Sequence, residues 1–426
     1  MLLLYSIAYT LGFIAMLPAF LLRREKYASG FRERLGNYPE FEHDDRNIIW
    51  LHCVSVGETN AARPLADALI KQFPDHRLVI STTTKTGQEL AKKIFADKAD
   101  AVFYLPFDWK FTVRRALKHF RPSLILLMET EIWPRLIFEA KRSDANLAIV
   151  NGRLSERSFR RYSKVGGFVR RVLKQIDIAL MQGERDGERI RSLGFDASKT
   201  HITGNLKFDV SPDNDESSLT EYFRERFGIN GEKPLIVAAS THDPEERILL
   251  EAILDSRKAR RPRTIFVPRH PERFDLVADI LADSGFTFAK RSDPPAIGDT
   301  EAEIILLDSI GELRAIYPLA DIVFVGGSLI PHGGQSILEP AVAGKAIVTG
   351  PFTHNFAEAV RVFLDKQALI QIPSASPADH LVEAFSELLE DPERCLELGD
   401  NAFAVIESNR GATAQTIEFL SEIVDS

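Results

Sequence analysis

Short, nearly continuous apolar runs alternate along this chain with longer polar segments of helical character. In the first half the runs are 47–53 (NIIWLHC), 77–81, 101–105, 124–128 (LILLM), 148–150, 176–181 and 201–203. In the second half they are 235–239, 264–267, 304–307, 322–325 and 346–349. Apolar runs of this length predict strands covered on both faces, and strands alternating with helices predict parallel sheets of the α/β class. Residues 211–233 (SPDNDESSLTEYFRERFGINGEK) are polar and turn-rich at their start and end, which predicts a linker between a domain 23–210 and a domain 234–400. Helical patterning closes the chain from about Pro377 to Val424. This order implies two α/β domains with a cleft between them, ligands sitting at the carboxyl ends of the strands.

The first residues differ from everything after them. Met1–Leu22 carries no charge and is rich in Leu, Ile, Ala and Phe, with Tyr5 and Tyr9 as interface candidates. That length just spans a hydrocarbon core of ~30 Å. It predicts a membrane anchor, spanning or, because of Gly12 and Pro18, lying in one leaflet; a buried core helix is the alternative. Arg23, Arg24 and Lys26 follow at once, which keeps the remaining chain on the cytoplasmic side and does not suit a cleaved signal peptide. Arg157, Arg160, Arg161, Lys164, Arg170, Arg171 and Lys174 form a second basic region, suited to lipid phosphates, to an anionic acceptor, or simply to an amphipathic surface helix.

Candidate chemistry concentrates where strands end. Between 320 and 356 the strand Ile322–Val325 runs into Gly326-Gly327-Ser328, and Gly333-Gly334 leads to Ser336-Ile337-Leu338-Glu339, read as a helix start. A helix start offers free N–H groups to a phosphate, and Glu339 one turn in suits the hydroxyls of a ribose. His354-Asn355-Phe356 adds polar groups after the next strand. Strand, glycine loop, helix start and carboxylate together describe a nucleotide-sugar site. Glu58 follows the first strand of the chain, where it serves either chemistry or the helix dipole. Glu129 and Glu131 end another apolar strand, Lys207 ends a third, and Arg269 ends a fourth, where a guanidinium would fork onto phosphate.

Composition narrows the function classes. At 426 residues with 45% hydrophobic and 27% charged content the chain suits two globular domains. A net charge of −8 argues against nucleic acid as a partner. Cys53 and Cys395 are far apart, as ordinary residues of a reducing compartment, and the scattered histidines propose no metal.

The motifs HCVSVGET (52–59), METEIWP (128–134), NGRLSERS (151–158), GNLKFD (204–209), STH (240–242), VPRHPERF (267–274), GGSL (326–329) and GPFTHNF (350–356) resemble, in order, those of the 3-deoxy-D-manno-octulosonic acid (Kdo) transferases of lipopolysaccharide assembly. The resemblance implies a GT-B fold: two Rossmann-like domains facing a cleft, an N-terminal membrane anchor, and a last helix (401–426) crossing back to the N-terminal domain. It further implies inverting, metal-independent transfer of Kdo from CMP-Kdo to lipid IVA at the cytoplasmic side of the bacterial inner membrane. Carried over by motif, Glu58 is the catalytic base, while Glu129 and Lys207 support the transition state. Pro268, Arg269, Ile310, Gly311, Glu312, Ser336, Ile337, Leu338 and Glu339 line the CMP site. One departure stands out: Gln335-Ser336 occupies the place where the family reads His-Asn. A UDP-sugar transferase or epimerase on the same scaffold, and a silent membrane adaptor, are the alternatives; retention of Glu58, Glu129, Lys207, Arg269 and Glu339 together speaks against the adaptor.

Overall fold

A computed structural model describes residues 1–22, 29–209, 216–256 and 261–424. Its contacts divide the chain into one unit of Met1–Asp209 with Asn409–Ser426 and a second of Val210–Ser408.

The first unit is built on seven strands: β1 (Asn47–Cys53), β2 (His76–Thr82), β3 (Ala101–Tyr104), β4 (Leu124–Met128), β5 (Asn146–Gly152), β6 (Ile178–Met181) and β7 (Thr200–Ile202). They pair in the order β3-β2-β1-β4-β5-β6-β7, all parallel. Alternate residues feed two separate cores. Ile48, Trp50, Val79, Ile125 and Leu127 face one layer of helices, and Ile49, Leu51, Leu78, Ile80 and Leu126 face the other. Each such side chain contributes about 1.5–3 kcal/mol on burial, which is why the runs are apolar throughout. The helix Ala412–Val424 belongs to this unit and buries Leu420; Phe419 stacks on His201, and Asn146 Nδ2 donates to the carbonyl of Ile423 at 3.0 Å.

The second unit has β8 (Leu235–Thr241), β9 (Arg263–Pro268), β10 (Phe288–Lys290), β11 (Ile304–Leu306), β12 (Ile322–Val325), β13 (Ala346–Thr349) and β14 (Ile370–Gln371), in the order β10-β11-β9-β8-β12-β13-β14. The edge strands β10 and β14 span three and two residues, too few for a readable pattern. Within the stretch read as a linker lies the helix Glu216–Arg226. Phe223 is fully buried there, as is Phe227 just beyond the helix, and Arg226 meets Asp299 at 2.9 Å. The acidic and turn-forming residues around this helix hide that apolar face in the sequence.

The N-terminal helix, Leu2–Leu22, departs from the expected span: among the described residues no helix is long and apolar enough to cross a membrane. One of its faces is polar and docked. Tyr5 donates to Asp108 Oδ2 at 2.7 Å, Arg135 Nε donates to Ser6 Oγ at 2.9 Å, and Trp109 Nε1 donates to Thr10 Oγ1 at 2.9 Å. Phe13 packs edge-on against Phe107 and Trp109. Asp108, buried, also accepts the backbone N–H groups of Arg135 and Leu136 at 2.9 and 2.8 Å. On the solvent side Leu3, Leu4 and Leu11 are 63–70% exposed. Arg23, Arg24 and Lys26 lie outside the described residues.

Candidate active site

In the first unit, β1 and β4 are neighbours at the point where the strand order reverses, the usual place for a ligand in such sheets. Glu58 sits in the short helix Val56–Ala61 that follows β1. It is only 6% exposed. Val54 N–H donates to its Oε2 at 2.7 Å and Ser55 Oγ donates to its Oε1 at 3.1 Å. Burial, and then the nearby charges of Glu129 and Glu131, push this carboxyl up to about 8. Glu131 is itself pushed up to about 7 by burial and by Glu129. Glu129 turns the chain after β4 with φ 55°, a left-handed conformation that costs a residue with a Cβ about 1–2 kcal/mol. Its N–H is held by the carbonyl of Val150 at 2.9 Å.

Lys207 lies in the 3₁₀ turn Leu206–Phe208 beyond β7, and that turn packs against the helix carrying Glu58. Its placement depends on Asn151, buried at the end of β5 with φ 52°, whose Oδ1 accepts Leu206 N–H at 3.0 Å. Glu58, Glu129 and Lys207 therefore share one edge of one sheet, two carboxylates and a cation in a half-buried setting.

In the second unit the remaining candidates follow three strands, β11, β9 and β12, with β8 between the last two. Arg269 is exposed at the end of β9, its N–H bonded to the carbonyl of Thr241 at 3.0 Å. After β11, Gly311 has φ 89° and Glu312 is gripped by Arg291 through two bonds of 2.9–3.0 Å, leaving Ile310 exposed. After β12, the helix read from Ser336 is short, Leu338–Val342, and its first N–H is taken by Ser336 Oγ at 3.3 Å. Glu339 is half-buried, 3.9 Å from Arg314.

The glycine pair after β12 is required by the protein's own backbone. A Cβ at Gly326 would lie 2.6 Å from the carbonyl oxygen of Ser240. What fixes this loop is Glu245, fully buried, whose two oxygens accept four backbone N–H groups. Those of Gly327 and His242 lie at 2.7 and 2.9 Å from Oε2, those of Ser328 and Leu329 both at 2.9 Å from Oε1. Among the described residues no group of three His, Cys, Asp or Glu side chains could hold a metal ion.

Residues 29–210 match the family model described as 3-deoxy-D-manno-octulosonic-acid transferase (kdotransferase). Over 97% of its length the chain is 35% identical to the 3-deoxy-D-manno-octulosonic acid transferase of Haemophilus influenzae, covering 95% of that protein. The chain belongs to the Kdo transferase family. It is also 33% identical to the enzyme of the same name from Bordetella pertussis, over 88% of this chain and 87% of that one. Among solved structures it is similar to a UDP-GlcNAc 2-epimerase from Neisseria meningitidis, with TM-score 0.58 and 12% identity over 88% of this chain and all of that one. That likeness concerns the fold alone, two parallel α/β sheets of the kind found in GT-B proteins.

For a Kdo transferase, two residues escape motif reading, while Glu131, already read as a strand-end carboxylate, is singled out further by its burial. Asn151 heads a quoted motif, yet its work is done across β6 on a turn more than fifty residues away. Glu245 reads as an ordinary first-turn acid, since the N–H groups it gathers come from another strand's loop.

Proposed function

We propose that this glycosyltransferase of lipopolysaccharide assembly takes Kdo from CMP-Kdo and places it on lipid IVA, with inversion and without a metal. The buried, hydrogen-bonded Glu58 carboxyl carries the reading. A base whose proton affinity lies near neutrality can accept the proton of an attacking hydroxyl and release it afterwards. In the reaction the acceptor oxygen bonds the anomeric carbon, its proton passes to Glu58, and the bond to the phosphate oxygen breaks with its electron pair leaving on CMP. Lys207 supplies positive charge in the first unit, and Arg269 faces the departing phosphate in the second. Glu339 serves the ribose hydroxyls.

The same reading places the protein on the cytoplasmic face of the bacterial inner membrane. What supports it is the bare apolar side of the N-terminal helix, together with exposed Phe111 and Val165 in the same unit. Phe168, between the basic residues Lys164 and Arg170, stacks on Tyr5 of that helix at 5.8 Å. Apolar insertion and basic headgroup contact would then act side by side.

The test is mass spectrometry of lipid IVA incubated with the purified protein and freshly generated CMP-Kdo. A gain of one or more Kdo units is expected. No gain, with the donor verified by an independent transferase, would overturn donor or acceptor, and competition by UDP but not CMP would move the reading to a UDP-sugar.

A further inference from the structure

Three histidines from three loops meet at the carboxyl edge of the second sheet. His242 follows β8, His270 follows β9 and His332 follows β12; the ring of His242 lies 4.4 Å from that of His332 and 5.2 Å from that of His270. His242 is 7% exposed, covered by the two more accessible rings. Its Nδ1 lies 3.1 Å from the carbonyl oxygen of Ser240, so Nδ1–H donates there and the tautomer is set. Nε2 is buried and has no hydrogen-bond partner. Gly327 admits this arrangement, since a Cβ there would touch the His242 ring at 3.4 Å and the Gln335 amide at 3.5 Å.

A buried, unpartnered ring nitrogen is unfavourable unless something arrives to meet it. We propose that His242, flanked by His270 and His332, is the seat for an oxyanion of the nucleotide-activated sugar acid. This rests on the donor reading above. A sugar acid activated by a nucleoside monophosphate presents two such groups, a phosphodiester and a carboxylate, on either side of the reacting carbon. Of the acids around the seat, Glu245, Glu246 and Asp243 are engaged elsewhere and Glu272 lies beside a flanking ring. Glu245 lies 3.9 Å from Nδ1, but its oxygens are taken up by backbone N–H groups. Glu246 is bound bidentately by Arg273 at 2.6 and 3.0 Å, and Asp243 lies 3.7 Å from the same guanidinium. Glu272 is 3.8 Å from His270. An anion entering between the rings thus meets imidazoles and no free carboxylate among the described contacts.

In the empty protein, burial and then the neighbouring rings of His332 and His270 hold His242 down at about 4, so it is neutral. An oxyanion against Nε2 reverses that balance, and His242 takes up a proton as the ligand binds. Affinity should therefore fall as pH rises, by up to about tenfold per pH unit while binding and protonation are coupled.

The probes are cytidine, CMP and CMP-Kdo, titrated against the full-length protein and its His242→Gln and His332→Ala variants; the second alters an exposed ring and leaves folding alone. If the phosphate occupies the seat, both variants lose tenfold or more in CMP affinity and keep their affinity for cytidine. If the carboxylate does, CMP and cytidine bind unchanged and the KM for CMP-Kdo rises tenfold or more. In either case calorimetry in two buffers of different ionisation heat registers proton uptake in the parent and less in His242→Gln. Unchanged values for all three ligands, or equal losses for cytidine and CMP, would overturn the seat. Failure of the unaltered protein to transfer Kdo would overturn the donor reading alone, since the contrast between CMP and cytidine is measured without turnover.

Discussion

Glu58→Gln separates chemistry from folding at one position. The side chain titrates at about 8 instead of its ordinary 4.5. At about 1.4 kcal/mol per pH unit, keeping it ionised in the fold costs up to about 5 kcal/mol. Because the folded-state value is raised, this carboxyl stabilises the fold relative to its ionised form only while it is protonated. The stability is fully present below 4.5 and is lost progressively as pH rises through about 8. Between pH 5 and 9 the loss amounts to about 4 kcal/mol. Glutamine keeps the geometry, its oxygen accepting Val54 N–H and its amide donating to Ser55 Oγ, but cannot ionise. The variant should thus outlast the parent at pH 9, by about 10 °C in the melting of the first unit, and match it at pH 5. Its transfer rate should fall by about 10²–10⁴-fold with CMP binding intact. In the parent at saturating CMP-Kdo, kcat/KM for the acceptor should rise with pH and level off above about 8, the deprotonated carboxylate being the active form. Melting curves that move in parallel with pH in both proteins would refute the raised titration, and retained turnover would remove Glu58 from catalysis.

Arg273→Ala leaves the 99% buried Glu246 without its partner, and should lower the stability of the second unit by about 3–5 kcal/mol in denaturant unfolding; adding Glu246→Gln should restore most of it. Gly326→Ala drives a methyl group to 2.6 Å from the Ser240 carbonyl, so the loop must shift and CMP affinity should drop at least tenfold in calorimetry. Leu4→Glu with Leu11→Glu places charge on the exposed side of the N-terminal helix and should abolish sedimentation with anionic vesicles while the melting temperature stays put; persistent sedimentation would transfer that role to the basic helices.

The strands were legible because a parallel sheet covered on both faces demands apolar side chains at every position, and the runs at 47–53, 124–128 and 322–325 say so by themselves. The positions of the candidate residues were legible for a related reason. In this architecture ligands meet the carboxyl ends of strands, so Glu58, Glu129, Lys207 and Arg269 could be picked as the polar residues next in line. Partnership was not legible. Glu245 and Glu312 look alike as acids at helix starts, yet one gathers backbone N–H groups from the loops after β8 and β12 and the other is held by Arg291. The N-terminal helix reads as uniformly apolar until Asp108, Trp109 and Arg135 show that Tyr5, Ser6 and Thr10 make a docked face. Local pattern therefore determined the central strands, because burial acts residue by residue, while the short edge strands β10 and β14 and the helix Glu216–Arg226 escaped it. Only the tertiary structure decided which polar groups are satisfied, strained or left waiting, as at Nε2 of His242, because those depend on neighbours tens of residues away.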